Sequence, residues 1–364
     1  MRCRGMKKSG KKIFFILSVV LLGAFLQSDA KSKKKSSDVK GLFKYTMNDV
    51  LDYLVIITCD GVNGKSSGSG FVAKMDGKTY LFTNQHVVMG TDSISFKTVS
   101  GKVLRPRQVE LSTTRDVVRL LLDESDGFEI MDKVKMDMPV GVFGNSEGGG
   151  VATELFGRVT GIGADVIEVS AKFVSGNSGS PVLGLDKKVI GIASYVRVPT
   201  PTKVNKGTKF EKKTRRFCFR ITGNTWKVVN WRTYNEKYGK VYLKHETFLN
   251  DLLFVLGNWY EEPLKSIPIG SVKSRLLTIW VKTHNNFLTV GKRKDSRSTF
   301  LKHYAASIEK LEKFCRHEIS QIKKFKRNRQ LTGFLRKEAE KQIYLLESIC
   351  ETCRAIENYV LGHR

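Results

Sequence analysis

Between Leu54 and about Val198 the chain runs through short apolar segments at close spacing, with Gly, Asn and Asp between them. LVIITC, GFVAK, TYLFTN, SISFKTV, VVRLLL, VGVFG, RVTGIG, VIEVS and KVIGIASYV are the clearest, and β-branched and aromatic residues are frequent in them. None is long enough to carry a helical stripe. The pattern therefore specifies an all-β sandwich or barrel and not βαβ units. Lys78–Phe82 and Lys188–Ile192 each follow an Asp or Gly turn, as hairpin strands do.

At 364 residues the chain exceeds one typical domain, and its 41% hydrophobic content excludes a disordered chain. The formal net charge of +28 is unevenly placed. Residues 41–198 carry 17 Lys/Arg against 18 Asp/Glu, residues 199–364 carry 35 against 15, and residues 1–40 carry 11 against 2. A basic leader, a neutral body and a basic C-terminal half are expected to have different partners.

The leader opens with Arg2, Arg4, Lys7, Lys8, Lys11 and Lys12, continues apolar from Ile13 to Leu26, and offers small residues at Ser28 and Ala30. Residues 1–30 read as a secretory signal peptide cleaved after Ala30, with 31–40 a basic flexible tail. The alternative is an uncleaved membrane anchor, although the 14-residue apolar run falls short of a bilayer span. Export permits disulfides, but five cysteines beyond residue 30 (Cys59, Cys218, Cys315, Cys350 and Cys353) leave at least one thiol free.

Residues 199–297 read as a linker and mixed accessory region. It has a Pro- and Lys-rich start, a strand at RRFCFRI, an aromatic stretch (Trp226, Trp231, Tyr234, Tyr238) and a helix over 244–256. Residues 298–364 read as a basic helical hairpin turning at Leu331-Thr332-Gly333. Leu301, Tyr304, Ile308, Leu311 and Cys315 form one stripe; Leu335, Ala339, Ile343, Leu346, Ile349, Cys353 and Ile356 form the other. Folding back would bring Cys315 near Cys350, a candidate disulfide. Cys350-Glu351-Thr352-Cys353 has no second cysteine pair, so it is weak evidence for a metal, and no metal or cofactor is expected.

Three segments carry chemistry: Thr83-Asn84-Gln85-His86-Val87-Val88, Thr114-Arg115-Asp116-Val117-Val118, and Gly176-Asn177-Ser178-Gly179-Ser180-Pro181. A serine hydroxyl needs a base within hydrogen-bond reach, histidine suits neutral pH, and a buried carboxylate fixes the imidazole tautomer. Backbone N–H groups in a Gly-x-Ser-Gly turn can hold the oxyanion. His86, Asp116 and Ser178 are the expected catalytic residues, with the Gly176 and Ser178 amides as the oxyanion hole.

With Gly68-Ser69-Gly70-Phe71-Val72, Val142-Phe143-Gly144-Asn145 and Gly191-Ile192-Ala193-Ser194-Tyr195, this set resembles the trypsin-like (chymotrypsin-fold) serine peptidases. The nearest in style are the bacterial HtrA-like and glutamyl-endopeptidase-like branches. The resemblance covers about 54–198. It implies two six-stranded antiparallel β-barrels within a 41–198 protease domain, followed by a mostly helical C-terminal region. It also implies that Ser194 contacts the triad acid, that Ser194 and Tyr195 bind substrate, and that Lys172 faces the specificity pocket, favouring acidic or polar groups. The expected protein is an exported, periplasmic or secreted serine endopeptidase acting on proteins or peptides. Its basic C-terminal region would suit an anionic envelope component or membrane surface, nucleic acid being disfavoured by export. The competing expectation is a catalytically inactive protease-fold protein that binds an anionic envelope or protein partner.

Overall fold

The structure is a computed structural model that describes residues 39–61, 64–198, 207–208, 210, 213–261, 266–294 and 297–362. The expected signal peptide and residues 31–38 of the basic tail lie outside the described residues. The chain divides into two compact units. The described residues through Lys240, together with Thr332–Phe334, form the first; Val241–Leu331 and the residues from Leu335 onward form the second.

The first unit contains β1 (Leu54–Gly61), β2 (Gly64–Met75), β3 (Lys78–Thr83), β4 (Thr91–Thr98), β5 (Gln108–Ser112) and β6 (Val118–Leu121). They are followed by β7 (Pro139–Gly144), β8 (Thr153–Ile162), β9 (Val166–Val169), β10 (Pro181–Leu183), β11 (Val189–Arg197), β12 (Arg215–Phe219) and β13 (Trp226–Val229). A short helix, α1 (Gln85–Val88), follows β3.

Two six-stranded barrels were expected, and the structure corrects this. Strands β7 to β12 close into one six-stranded barrel, in the order β10-β11-β12-β9-β8-β7. The first six strands instead join β13 in an open seven-stranded sheet, ordered β13-β5-β6-β3-β2-β1-β4. The β5 edge is occupied, and so is the C-terminal part of the outer β4 edge. Strand β13 pairs along β5, Trp226 opposite Ser112 and Val229 opposite Val109. The outer edge of β4 takes its own continuation: Thr98 N donates to Lys102 O at 2.8 Å and Leu104 N to Phe96 O at 2.9 Å. An edge whose donors and acceptors are satisfied has no capacity left to seal a barrel.

Trp226 also covers Arg119, whose guanidinium lies 4.5 Å from its ring and 4.3 Å from that of Tyr80 and pairs with the buried Glu110 at 2.8 Å. The sheet's core gathers Leu54, Phe71, Tyr80, Phe82 and Val117. The barrel's gathers Val142, Val159, Ile167, Phe173, Val182, Ala193 and Cys218.

The second unit is helical: α2 (Lys240–Glu261), α3 (Arg275–Lys294), α4 (Arg297–Lys326) and most of α5 (Gly333–Gly362). The helical stripes fall where the periodicity puts them. Ile308, Leu311 and Cys315 of α4 are buried with Ala339, Leu346, Ile349 and Cys353 of α5. Cys315 and Cys350 are free, buried thiols hydrogen-bonded to each other, and burial pushes Cys353 up to about 12. Among the described residues no helix is long and apolar enough to cross a membrane, and no cluster of His, Cys, Asp or Glu is arranged for a metal.

Candidate active site

Strand β3 delivers the histidine segment. It is buried from Thr79 to Thr83, and the chain then turns into α1 through Asn84, which has extended φ and ψ. The buried Asn84 uses its side chain elsewhere, donating from Nδ2 to Asp116 O at 2.6 Å. Gln85, fully buried, points Nε2 at the carbonyls of Ser112, Arg115 and Val117, at 2.9, 2.7 and 3.2 Å. Its Oε1 accepts from the Thr332 hydroxyl at 3.1 Å. Buried carbonyls need such donors, so these two amides fix the loop before β6 against α1. Arg115 reaches outward from the same loop. Its Nη1 donates to the carbonyls of Arg220 and Thr222, both at 2.7 Å, and its Nη2 meets Asp165 at 2.7 Å.

The outcome is a His–Asp pair. His86 Nδ1 lies 2.5 Å from Asp116 Oδ2, and the His86 backbone N–H donates to Oδ1 at 3.0 Å. Asp116 is buried; the His86 ring is about one-third exposed. A buried carboxylate bonded to Nδ1 leaves Nε2 as the outward-facing nitrogen, the one that can exchange a proton with solvent-side chemistry.

The barrel supplies the serine. The turn before β10 holds Gly176 and Gly179 at φ of +86° and +90°. A Cβ at Gly176 would meet Asn145 O at 2.2 Å, and one at Gly179 would meet Ser69 O at 2.0 Å. Only glycine fits either position. Ser69 of β2 clamps this turn: its N–H donates to Ser178 O at 3.0 Å and its hydroxyl to Gly176 O at 2.8 Å. Among the described residues, neither the Gly176 nor the Ser178 N–H donates to a protein acceptor. Two unused backbone donors beside a serine hydroxyl are what a developing oxyanion requires.

Ser194 joins the two sources. Its hydroxyl donates to Asp116 Oδ2 at 3.2 Å, and its carbonyl accepts from Ser178 Oγ at 3.3 Å. Ser194 thus links His86 and Asp116 on the sheet side to Ser178 on the barrel side. Tyr195 is exposed and stacks on Phe217, centroids 5.0 Å apart. Lys172 is exposed between the buried Ala171 and Phe173. Asn84, Gln85 and Arg115 lie inside the quoted strings, but nothing in the strings signals their partners. Ser69 and Thr332 carried no signal of a site role. Cys59 is no second nucleophile, since burial pushes its thiol up to about 11 and its Sγ faces Val87 O.

Residues 68–192 match the trypsin-like peptidase domain family. A probable periplasmic serine endoprotease DegP-like of Rickettsia conorii is 28% identical over 190 residues, 48% of this chain and 34% of that protein. Its counterpart in Rhizobium meliloti is 31% identical over 148 residues, covering 37% and 29%. The serine protease Do-like HtrA of Bacillus subtilis is 28% identical over 148 residues, covering 35% and 33%. The chain spans about a third of the length of these relatives. Among solved structures, the active form of the Rv3671c protease from M. tuberculosis aligns with a TM-score of 0.38 at 18% identity, over 55% of this chain and 89% of that one.

Proposed function

Because the chain carries a trypsin-like peptidase domain homologous to the bacterial HtrA- and DegP-type serine proteases, we propose that it is an exported serine endopeptidase working through an acyl-enzyme. Ser178 Oγ attacks the peptide carbonyl, and His86 takes its proton and returns it to the leaving amine. Asp116 holds the imidazole tautomer and stabilises the imidazolium. The Gly176 and Ser178 N–H groups receive the oxyanion. The observation that carries this reading is the 2.5 Å His86–Asp116 bond, linked to Ser178 through Ser194. The periplasmic relatives and the leader of residues 1–30 support export.

Fluorophosphonate labelling of the full chain tests the reading. Labelling at Ser178, absent from Ser178→Ala, is expected. Asp116→Asn is expected to keep the fold and lower peptide turnover by about 10⁴-fold, the scale of losing the correct tautomer. A folded wild-type protein that takes no label would refute the proposal.

A further inference from the structure

Strand β12 lies between β11 and β9 in the barrel, with Cys218 opposite Ala193 and Arg216 opposite Val196. Cys218 and Ala193 belong to the barrel core. Side chains two apart on a strand share a face, so Arg216 stands on the same inner face as Cys218, and Ser194 lies between the Ala193–Cys218 and Tyr195–Phe217 pairs, two steps before the residue opposite Arg216. Its Nε donates to the carbonyl of Phe173 at 2.8 Å. Phe173 lies in the segment that leads into the Ser178 turn, and its ring is in the same core. The guanidinium is therefore tied to the segment preceding the nucleophile, on a strand whose backbone pairs with the one that follows Ser194.

Among the described residues, no carboxylate answers the charge of Arg216. It is half-buried, and no ion pair reaches it among the described residues. The one acid nearby in register is Glu168, opposite Phe217 on β9, and Arg215 (2.8 Å) and Lys213 (3.8 Å) engage it. Arg215, on the other face, is also stacked over Phe210 and Phe217. Burial alone pulls the Arg216 pKa below its ordinary value, with no carboxylate opposing. A half-buried guanidinium with most of its donors unused costs stability unless a carboxylate completes it.

A substrate acylating Ser178 must put its carbonyl between Oγ and the Gly176 and Ser178 amides. The strand that carries Ser194 accepts from Ser178 Oγ, and the segment from Phe173 leads into the Ser178 turn, so these two flank the place where the side chain of that residue has to fit. We infer that Arg216 forms the cationic floor of the pocket receiving that side chain, and that the preferred substrates carry Glu or Asp at the residue acylating the enzyme. This rests on the peptidase reading above. Arg216, rather than the exposed Lys172, is the cation that selects it.

The test uses the full chain and peptidyl diphenyl phosphonates that differ only in the acylating side chain: Glu, Gln, Val or Lys. The Glu probe is expected to inactivate about 10–100-fold faster than its Gln isostere, the scale of a charge-assisted bidentate pair. Arg216→Gln should bring that ratio near one, and Arg216→Glu should shift the preference to Lys. Fluorophosphonate, which carries no such side chain, reports folding and nucleophile activation in every variant. Wild-type labelling with a Glu probe no faster than Gln, whether both react or neither, overturns the inference alone. So does a ratio unchanged in labelled Arg216→Gln. Loss of wild-type labelling overturns the peptidase reading, and this inference with it.

Discussion

The open sheet and the closed barrel each supply part of the proposed active site, and they hold their parts by different means. In the sheet, His86 and Asp116 depend on side chains that tie loop to helix: Asn84 to Asp116 O, Gln85 to three carbonyls, and Arg115 to Arg220 and Thr222. In the barrel, Ser178 depends on backbone at positive φ, packed so closely against Asn145 and Ser69 that a single Cβ would collide. An acid–base pair needs orientation, which directional amides give. An oxyanion needs two backbone N–H groups turned to one side, which a turn with left-handed glycines on either side of the serine allows.

The largest effect is expected on the barrel side. Gly179→Ala should cost about 2–5 kcal/mol, combining the left-handed penalty with overpacking against Ser69 and Thr83. Urea unfolding measures it, and fluorophosphonate labelling should be abolished. Full labelling in that variant would mean that backbone strain does not position Ser178. Gln85→Leu comes next, at about 1–3 kcal/mol for the buried carbonyls it orphans. Its labelling should slow along with its turnover, because both need His86 to take the Ser178 proton, but the folded variant should still label where Gly179→Ala does not. Abolished labelling in a folded Gln85→Leu would erase the distinction between the two regions.

Thr332→Val tests the outermost link on the sheet side. It removes one hydrogen bond to Gln85 and should cost about 0.5–1.5 kcal/mol, seen as a shift in the urea midpoint. The smallest effect is expected at Cys59. In the native protein it should resist alkylation over hours at neutral pH and react only on unfolding, as mass spectrometry of the alkylated protein would reveal. Rapid labelling would mean that the sheet beside α1 opens locally.

Much of the site could be read along the chain because its chemistry sits in local strings. Asn84-Gln85-His86, Arg115-Asp116 and Gly176-Asn177-Ser178-Gly179 each combine a reactive group with the residues that shape its own turn. Ser194 could be named only through resemblance; the structure adds its hydroxyl bond to Asp116 and its carbonyl, which accepts from Ser178. Arg216 was hidden inside RRFCFRI, where it reads as one more base in a basic half. Its register opposite Val196 singles it out, and register is a property of three strands at once. Thr332 was legible as a helical turn, but not as a partner of Gln85.

The sequence by itself determined that residues 54–198 make short strands, that glycines 176 and 179 shape the turn at Ser178, and that the last third is helical. Alternation, turn chemistry and the helical period act within a few residues, so they survive in the linear order. Only the tertiary structure decided that one sheet closes and the other stays open. Closure depends on which distant strand pairs with an unpaired edge. Strand β12 completes the barrel, whereas β13 takes the edge of β5. Both strands come from a segment whose pattern gave no pairing partner, because any strand's backbone can hydrogen-bond any other.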